Sequence, residues 1–181
     1  MQSGSDPSAS GGQYIYIDTG TDEQGTASFT FDIQNAGKYR MEAKVLTPND
    51  GQNSFYLGLD SESAQGNDNY TYDTAITAAF AWDNVSKRGP TGDYSQAEFD
   101  PMTWDLSQGI HNFTFYGRES NTWLDQVILR KACIHKSDSD CNSCVSMSEL
   151  TAFIDRWKIN NLDVTMKEII EAIGLWKRGC S

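Results

Sequence analysis

Residues Gly109–Arg130, GIHNFTFYGRESNTWLDQVILR, divide into two apolar runs around a polar turn. Asn112–Tyr116 is rich in Phe, Thr and Tyr, Trp123–Leu129 is rich in Leu, Ile and Val, and Gly-Arg-Glu-Ser-Asn lies between them. Alternation at period two, bounded by turn formers, is the signal of half-buried strands, so the stretch reads as a β-hairpin. Two strands cannot bury an apolar face by themselves, and upstream strands must supply an opposing sheet. Asp125 stands out as an acid inside an apolar run. A buried carboxylate must be paired, hydrogen-bonded or held on a metal.

Upstream, residues 1–12 read as loop. Gln13–Ile17, Ala27–Ile33, Tyr39–Leu46 and Ser54–Leu59 alternate, with turns at Asn35–Gly37 and Pro48–Gly51. Residues 61–72 read as a long surface loop. Phe80–Val85, Ala97–Phe99 and Trp104–Leu106 add further short strands. Eight or nine short strands with regular turns predict a mostly β chain, an antiparallel β-sandwich or jelly roll over residues 1–131.

Composition narrows the partners. The chain has 181 residues, 12% aromatic, with 15 Gly and a net charge of -11. That balance argues against nucleic acid, which requires basic patches, and suits calcium, whose ligands are carboxylate and carbonyl oxygens. No apolar run approaches the ~18–20 residues of a membrane span. Cys133, Cys141, Cys144 and Cys180 all fall in the last quarter, and Asn69, Asn84 and Asn112 begin glycosylation sequons. Both features predict an extracellular or cell-surface location, and the chain reads as a piece of a longer secreted protein.

Residues 132–181 have a different character. VSMSELTAFIDRWK (145–158) and VTMKEIIEAIGLWK (164–177) repeat in register, and each begins with Ser or Thr three residues before Glu, the capping box of a helix start. Two short amphipathic helices are predicted to pack as a pair, with Trp157 and Trp176 in their core. Before the first helix, Asp138, Asp140, Asn142, Cys144 through its carbonyl, Ser146 and Glu149 fall at the ligand positions of an EF-hand loop. This spacing wraps oxygens around Ca²⁺ and closes the shell with a bidentate Glu, although Ser143 replaces the usual Gly. The second copy has only Asp163 before Val164. The alternatives are a polar linker in which Glu149 caps a helix, or zinc held by Cys133, His135, Cys141 and Cys144. The cysteines also predict disulfides, with Cys180 returning to Cys133, Cys141 or Cys144; four cysteines allow three pairings.

The loop–helix duplication over Ser137–Gly179 resembles dockerins, which dock secreted proteins onto cohesin domains. That resemblance implies a cohesin-like protein partner. ASGGQYIYI (9–17), AGKYRMEAKVLTPNDGQNSFYLGLD (36–60), DTAITAAFAWDNVSKRG (73–89) and GIHNFTFYGRESNTWLD (109–125) together resemble calcium-dependent β-sandwich carbohydrate-binding modules of the galactose-binding-like jelly-roll type. In that family an acid from an initial strand joins the position of Asp125 at a structural calcium. The sequence begins after the place of that strand, so either the strand belongs to a preceding segment or it is absent and leaves an open sheet edge.

Sugar binding needs flat aromatic faces and polar side chains for hydroxyls. Trp123, Trp82 and Trp104 are the candidate platforms, with Tyr14, Tyr16, Tyr70, Tyr72 and Tyr94 behind them. Arg118, Glu119 and Asn53 are the candidate hydroxyl partners. Competing structural roles are a core plug for Trp82, an ion pair for Arg118 and Glu119, and a strand cap for Asn53. His111 and His135 are the only histidines, and no hydrolase elbow, zinc-protease or phosphate-loop motif occurs. The expectation is a non-catalytic polysaccharide- or glycan-binding module with a docking tail. The alternative is a structural surface or filament protein that self-assembles through the open edge.

Overall fold

The computed structural model describes residues 1–20, 23–142, 144–159 and 163–179. Its contacts separate two units, Met1–Arg130 and Lys131–Ser181. In chain order the strands are β1 (Gln2–Ser5), β2 (Gln13–Tyr16), β3 (Thr26–Ile33), β4 (Gly37–Leu46), β5 (Ser54–Leu59), β6 (Thr71–Asp73), β7 (Ala81–Asn84), β8 (Thr103–Leu106), β9 (Gly109–Gly117) and β10 (Trp123–Lys131). They form an antiparallel sandwich. One sheet runs β1-β2-β10-β4-β7, and the other runs β3-β9-β5-β6. β8 also pairs with β4: it takes Gly37–Arg40 while β7 takes Glu42–Val45, so the two short strands lie end to end along one edge of β4.

Alternation builds the core. Met41, Ala43 and Val45 of β4, Phe55 and Leu57 of β5, Phe113 and Phe115 of β9 and Leu124 of β10 are all buried between the sheets. Phe115 meets Phe29 and Phe55 edge-on, at centroid distances of 5.7 Å in each case. Such packing adds to simple area burial.

The strands of Gly109–Arg130 form as expected, but the hairpin does not. β9 spends its two edges on β3 and β5, while β10 pairs with β2 and β4 in the other sheet. The connection therefore arches across the sandwich. Asn121 N donates to Ile17 O at 2.8 Å on one side, and Arg118 Nη1 donates to Ser54 Oγ at 2.7 Å on the other. Asn121 adopts φ 59° in this arch. At its start Gly117 lies so close to the Gln24 carbonyl that a Cβ would collide with it.

Three other expectations change. Gln2–Ser5, read as loop, is a strand paired with β2, so the edge of β2 is covered and β1 becomes the outermost strand of its sheet. Thr71–Tyr72, read as the end of a long loop, belongs to β6. Ala97–Phe99 is no strand, and contributes only the bridge from Phe99 to Lys87.

In the second unit, α1 (Met147–Ile159) and α2 (Met166–Arg178) follow the repeat. Both start in a reciprocal cap. Ser146 N donates to Glu149 Oε2 at 2.9 Å and Glu149 N donates back to Ser146 Oγ at 3.3 Å; Thr165 and Glu168 repeat the pattern at 2.7 and 3.3 Å. Val145 and Val164, the first residues of the two copies, are fully buried beside Leu150, Phe153, Ile169 and Ala172, with Trp157 and Trp176 packed against them.

Candidate functional site

The arch gathers residues that sequence alone leaves apart. Asn53 precedes β5 and its N–H donates to Glu119 Oε2 at 3.0 Å, while Arg118 Nη1 donates to Glu119 Oε1 at 2.6 Å. Asn53 Nδ2 reaches Thr74 O at 3.1 Å. Beside them Arg88 makes two 2.7 Å bonds to the Asp73 carboxylate, a fork that holds the guanidinium charged and raises its pKa. These groups and the exposed Tyr94 line a cleft of about 260 Å³ at one end of the sandwich. A second hollow of about 340 Å³ shares Asp50, Asn53, Asp73 and Tyr94 with it and extends to Asp83, Asn84 and Asp100.

Asp83 was not singled out from sequence. It accepts from Tyr72 Oη at 2.8 Å and Ala75 N at 2.9 Å, and burial, with Asp100 nearby, raises its pKa. Its only sequence signal is an acid in the short run Ala81–Asn84.

Trp82 is on the outer face of the first sheet and 45% exposed, so it is not a core plug. It lines a groove of about 380 Å³ with Glu42, Asn84, Ile128 and Arg130. Glu42 pairs with Arg40 at 2.9 Å and Arg130 at 3.0 Å, and Arg40 Nη1 donates to Asn84 Oδ1 at 2.8 Å. An indole face edged by amide, carboxylate and guanidinium groups offers stacking and hydrogen bonding together.

The other tryptophans lie elsewhere. Trp104 is 9% exposed and meets Phe113 edge-on at 5.1 Å; it is core and not a platform. Trp123 is half-buried, stacked on Tyr14 at 4.5 Å and close to Phe80 at 6.2 Å, because β10 pairs with β2 and places it among neighbouring rings. Asp125 is resolved as an ion pair. Its side chain is fully buried, Lys44 Nζ lies 2.8 Å away, and Ser10 N donates to both oxygens at 2.8 and 2.9 Å. Lys44 thus supplies a positive charge beside the carboxylate expected to help hold a structural calcium.

In the second unit, carboxylate oxygens of Asp138, Asp140 and Glu149 lie within 4.8 Å of one another. Loop N–H groups orient them: Asn142 N donates to Asp138 and Asp140 at 3.1 Å each, and Ser139 N donates to Glu149 Oε1 at 2.8 Å. The Ser146 N–H above all holds the Glu149 carboxyl at about 2, well below the usual 4.5. Three converging anionic oxygens fit a divalent cation. The zinc alternative is removed, since Cys133 and Cys141 form a disulfide and Cys144 is disulfide-bonded as well. Cys180 and Ser143 lie outside the described residues. The three sequon asparagines, Asn69, Asn84 and Asn112, are all exposed.

No protein-family model matches the chain, and no curated protein does. Solved structures do. A family 35 carbohydrate-binding module from Clostridium thermocellum aligns with a TM-score of 0.50 at 11% identity, over 71% of this chain and 85% of that one. An exo-β-1,3-galactanase from Phanerochaete chrysosporium, solved with β-1,3-galactotriose, aligns with a TM-score of 0.50 at 15% identity, over 71% of this chain but only 26% of the galactanase. At these identities the likeness is one of fold: a β-sandwich resembling carbohydrate-binding modules, followed here by a two-helix element.

Proposed function

We propose that the chain is a non-catalytic glycan-binding module of a secreted or cell-surface protein, with a calcium-dependent docking element at its C-terminal end. The observation that carries the reading is the cleft where Asn53, Arg118 and Glu119 meet beside Tyr94. Polar side chains fixed by one another, next to an exposed ring, suit hydroxyl recognition with little ordering cost. The fold likeness supports the same class without naming a sugar.

In the second unit, Met147 and Met166 open the two helices at matching repeat positions and are 54% and 53% exposed. With Ile170 of α2, also exposed, they are apolar side chains open to a cohesin-like protein. Calcium at Asp138, Asp140 and Glu149 would hold the loop onto α1. Among the described residues no helix is long and apolar enough to cross a membrane.

A glycan array and an insoluble-polysaccharide pull-down, run with calcium and then with chelator, test the reading. Saturable retention of one glycan class is expected, lost on Glu119→Ala. A folded protein that retains no glycan in either condition would overturn it.

A further inference from the structure

The cleft and the Trp82 groove are linked through shared lining residues. Asp83 and Asn84 line both the groove and the second part of the cleft, so the path runs from the outer face of the first sheet around the end of β7. From there the shared residues Asn53 and Tyr94 carry it on to Arg118. We propose that this is one continuous binding path, filled by several successive rings of an uncharged glycan chain. The inference rests on the glycan-binding reading above and names the substrate class for it.

Three features point to an extended ligand. An exposed ring stands on each part of the path, Trp82 at 45% and Tyr94 at 78% exposure. Asn84 and Asp100 lie between them, so polar partners for hydroxyls are spaced along its length and not gathered at one point. Ile128 of β10 and Trp82 of β7 flank the groove from two strands apart, a separation of about 10 Å. A single sugar ring would leave most of this surface uncovered.

The charge pattern selects an uncharged chain. Residues 1–130 hold seven Lys and Arg against eighteen Asp and Glu, so the whole net charge of -11 resides in the sandwich. The guanidinium groups along the path are already committed: Arg88 to Asp73, Arg118 to Glu119, and Arg40 and Arg130 to Glu42. A uronate or sulfated chain would meet an unfavourable field, each of these guanidinium groups already facing a carboxylate.

Isothermal titration of the full chain tests this with neutral ladders, from disaccharide to hexasaccharide, of β-1,4-mannan, xylan and β-1,3-galactan, and with hexagalacturonate as the anionic probe. At least one neutral ladder is expected to bind with one hexasaccharide per protein and with affinity rising along the series. Trp82→Ala should weaken the hexasaccharide about tenfold. Asn84→Tyr, an exposed position at the junction, should abolish the gain from added rings while leaving a short oligosaccharide bound. Equal affinity for disaccharide and hexasaccharide, two hexasaccharides per protein, or preference for hexagalacturonate would each overturn the inference. So would failure of folded protein to bind any ladder; retention of a charged glycan on the array would then leave the glycan-binding reading standing.

Discussion

Asn53 and Glu119, 66 residues apart in sequence, are joined by a 3.0 Å hydrogen bond from the Asn53 N–H to Glu119 Oε2. That bond ties the start of β5 to the arch between β9 and β10, and Arg118 completes it from the other carboxylate oxygen. Glu119→Ala would leave a half-buried N–H and a guanidinium without their acceptor, at a cost of about 1–3 kcal/mol. Urea unfolding should show the loss, and Glu119→Gln should recover part of it. Unchanged stability would mean that the arch is held by the Ser54 and Ile17 contacts alone.

Trp82 and Trp104 separate binding from folding. Trp104→Ala removes a core ring packed on Phe113 and should cost about 3–5 kcal/mol, with glycan affinity kept in the fraction that remains folded. Trp82→Ala is a surface change, expected to alter stability by less than about 0.5 kcal/mol while weakening binding. Paired urea melts and titrations check both. The reverse pattern would place the platform elsewhere.

Lys44→Met removes the ammonium group that faces the buried Asp125 carboxylate and leaves the Ser10 N–H against it. Breaking one side of a buried pair is expected to cost about 3–5 kcal/mol. The double variant Lys44→Met with Asp125→Asn should recover much of that loss, because no charge is then stranded. A thermal-unfolding double-mutant cycle measures the coupling, and additive losses would contradict the pairing.

Acid should weaken the helix pair in a defined window. The Ser146 N–H chiefly lowers Glu149, and the Lys136 ammonium chiefly lowers Glu168, each from 4.5 to about 2. Folded values below the unfolded one mean that the stabilisation is complete above about pH 4.5 and disappears as pH falls from there towards 2. Far-UV circular dichroism melts of the full chain should show helix loss across this range, with a smaller drop for Glu168→Gln. Calcium should protect the loop above the same window and not below it, since its carboxylates must be ionised to bind.

Much of the fold was legible because its signals are local. Period-two runs marked Ser54–Leu59 and most of β2, β3, β4 and β10, and the capping boxes at Ser146 and Thr165 marked both helix starts. Of the site, Arg118, Glu119, Asn53 and Trp82 were visible as residue types suited to sugars. Asp83 and the shared hollow at Asn84 were not, because neither has a signal in its own neighbourhood.

Sequence by itself determined both helices and most of the strands, since side-chain periodicity and capping act over a few residues, but not Gln2–Ser5 or Thr71–Tyr72, whose strands form only through their partners. It also set the charge of the sandwich and the duplication of the helices. Tertiary structure alone decided the partners. An apolar run such as Trp123–Leu129 looks the same whether it pairs with β9 or crosses to β2 and β4, and only the completed sheets distinguish the two. Burial then assigned the tryptophans: Trp104 faces the opposing sheet and Trp82 faces solvent, though each stands in a short run beside β4. The same closure put Lys44 on Asp125, an ion pair across 81 positions that no local pattern encodes.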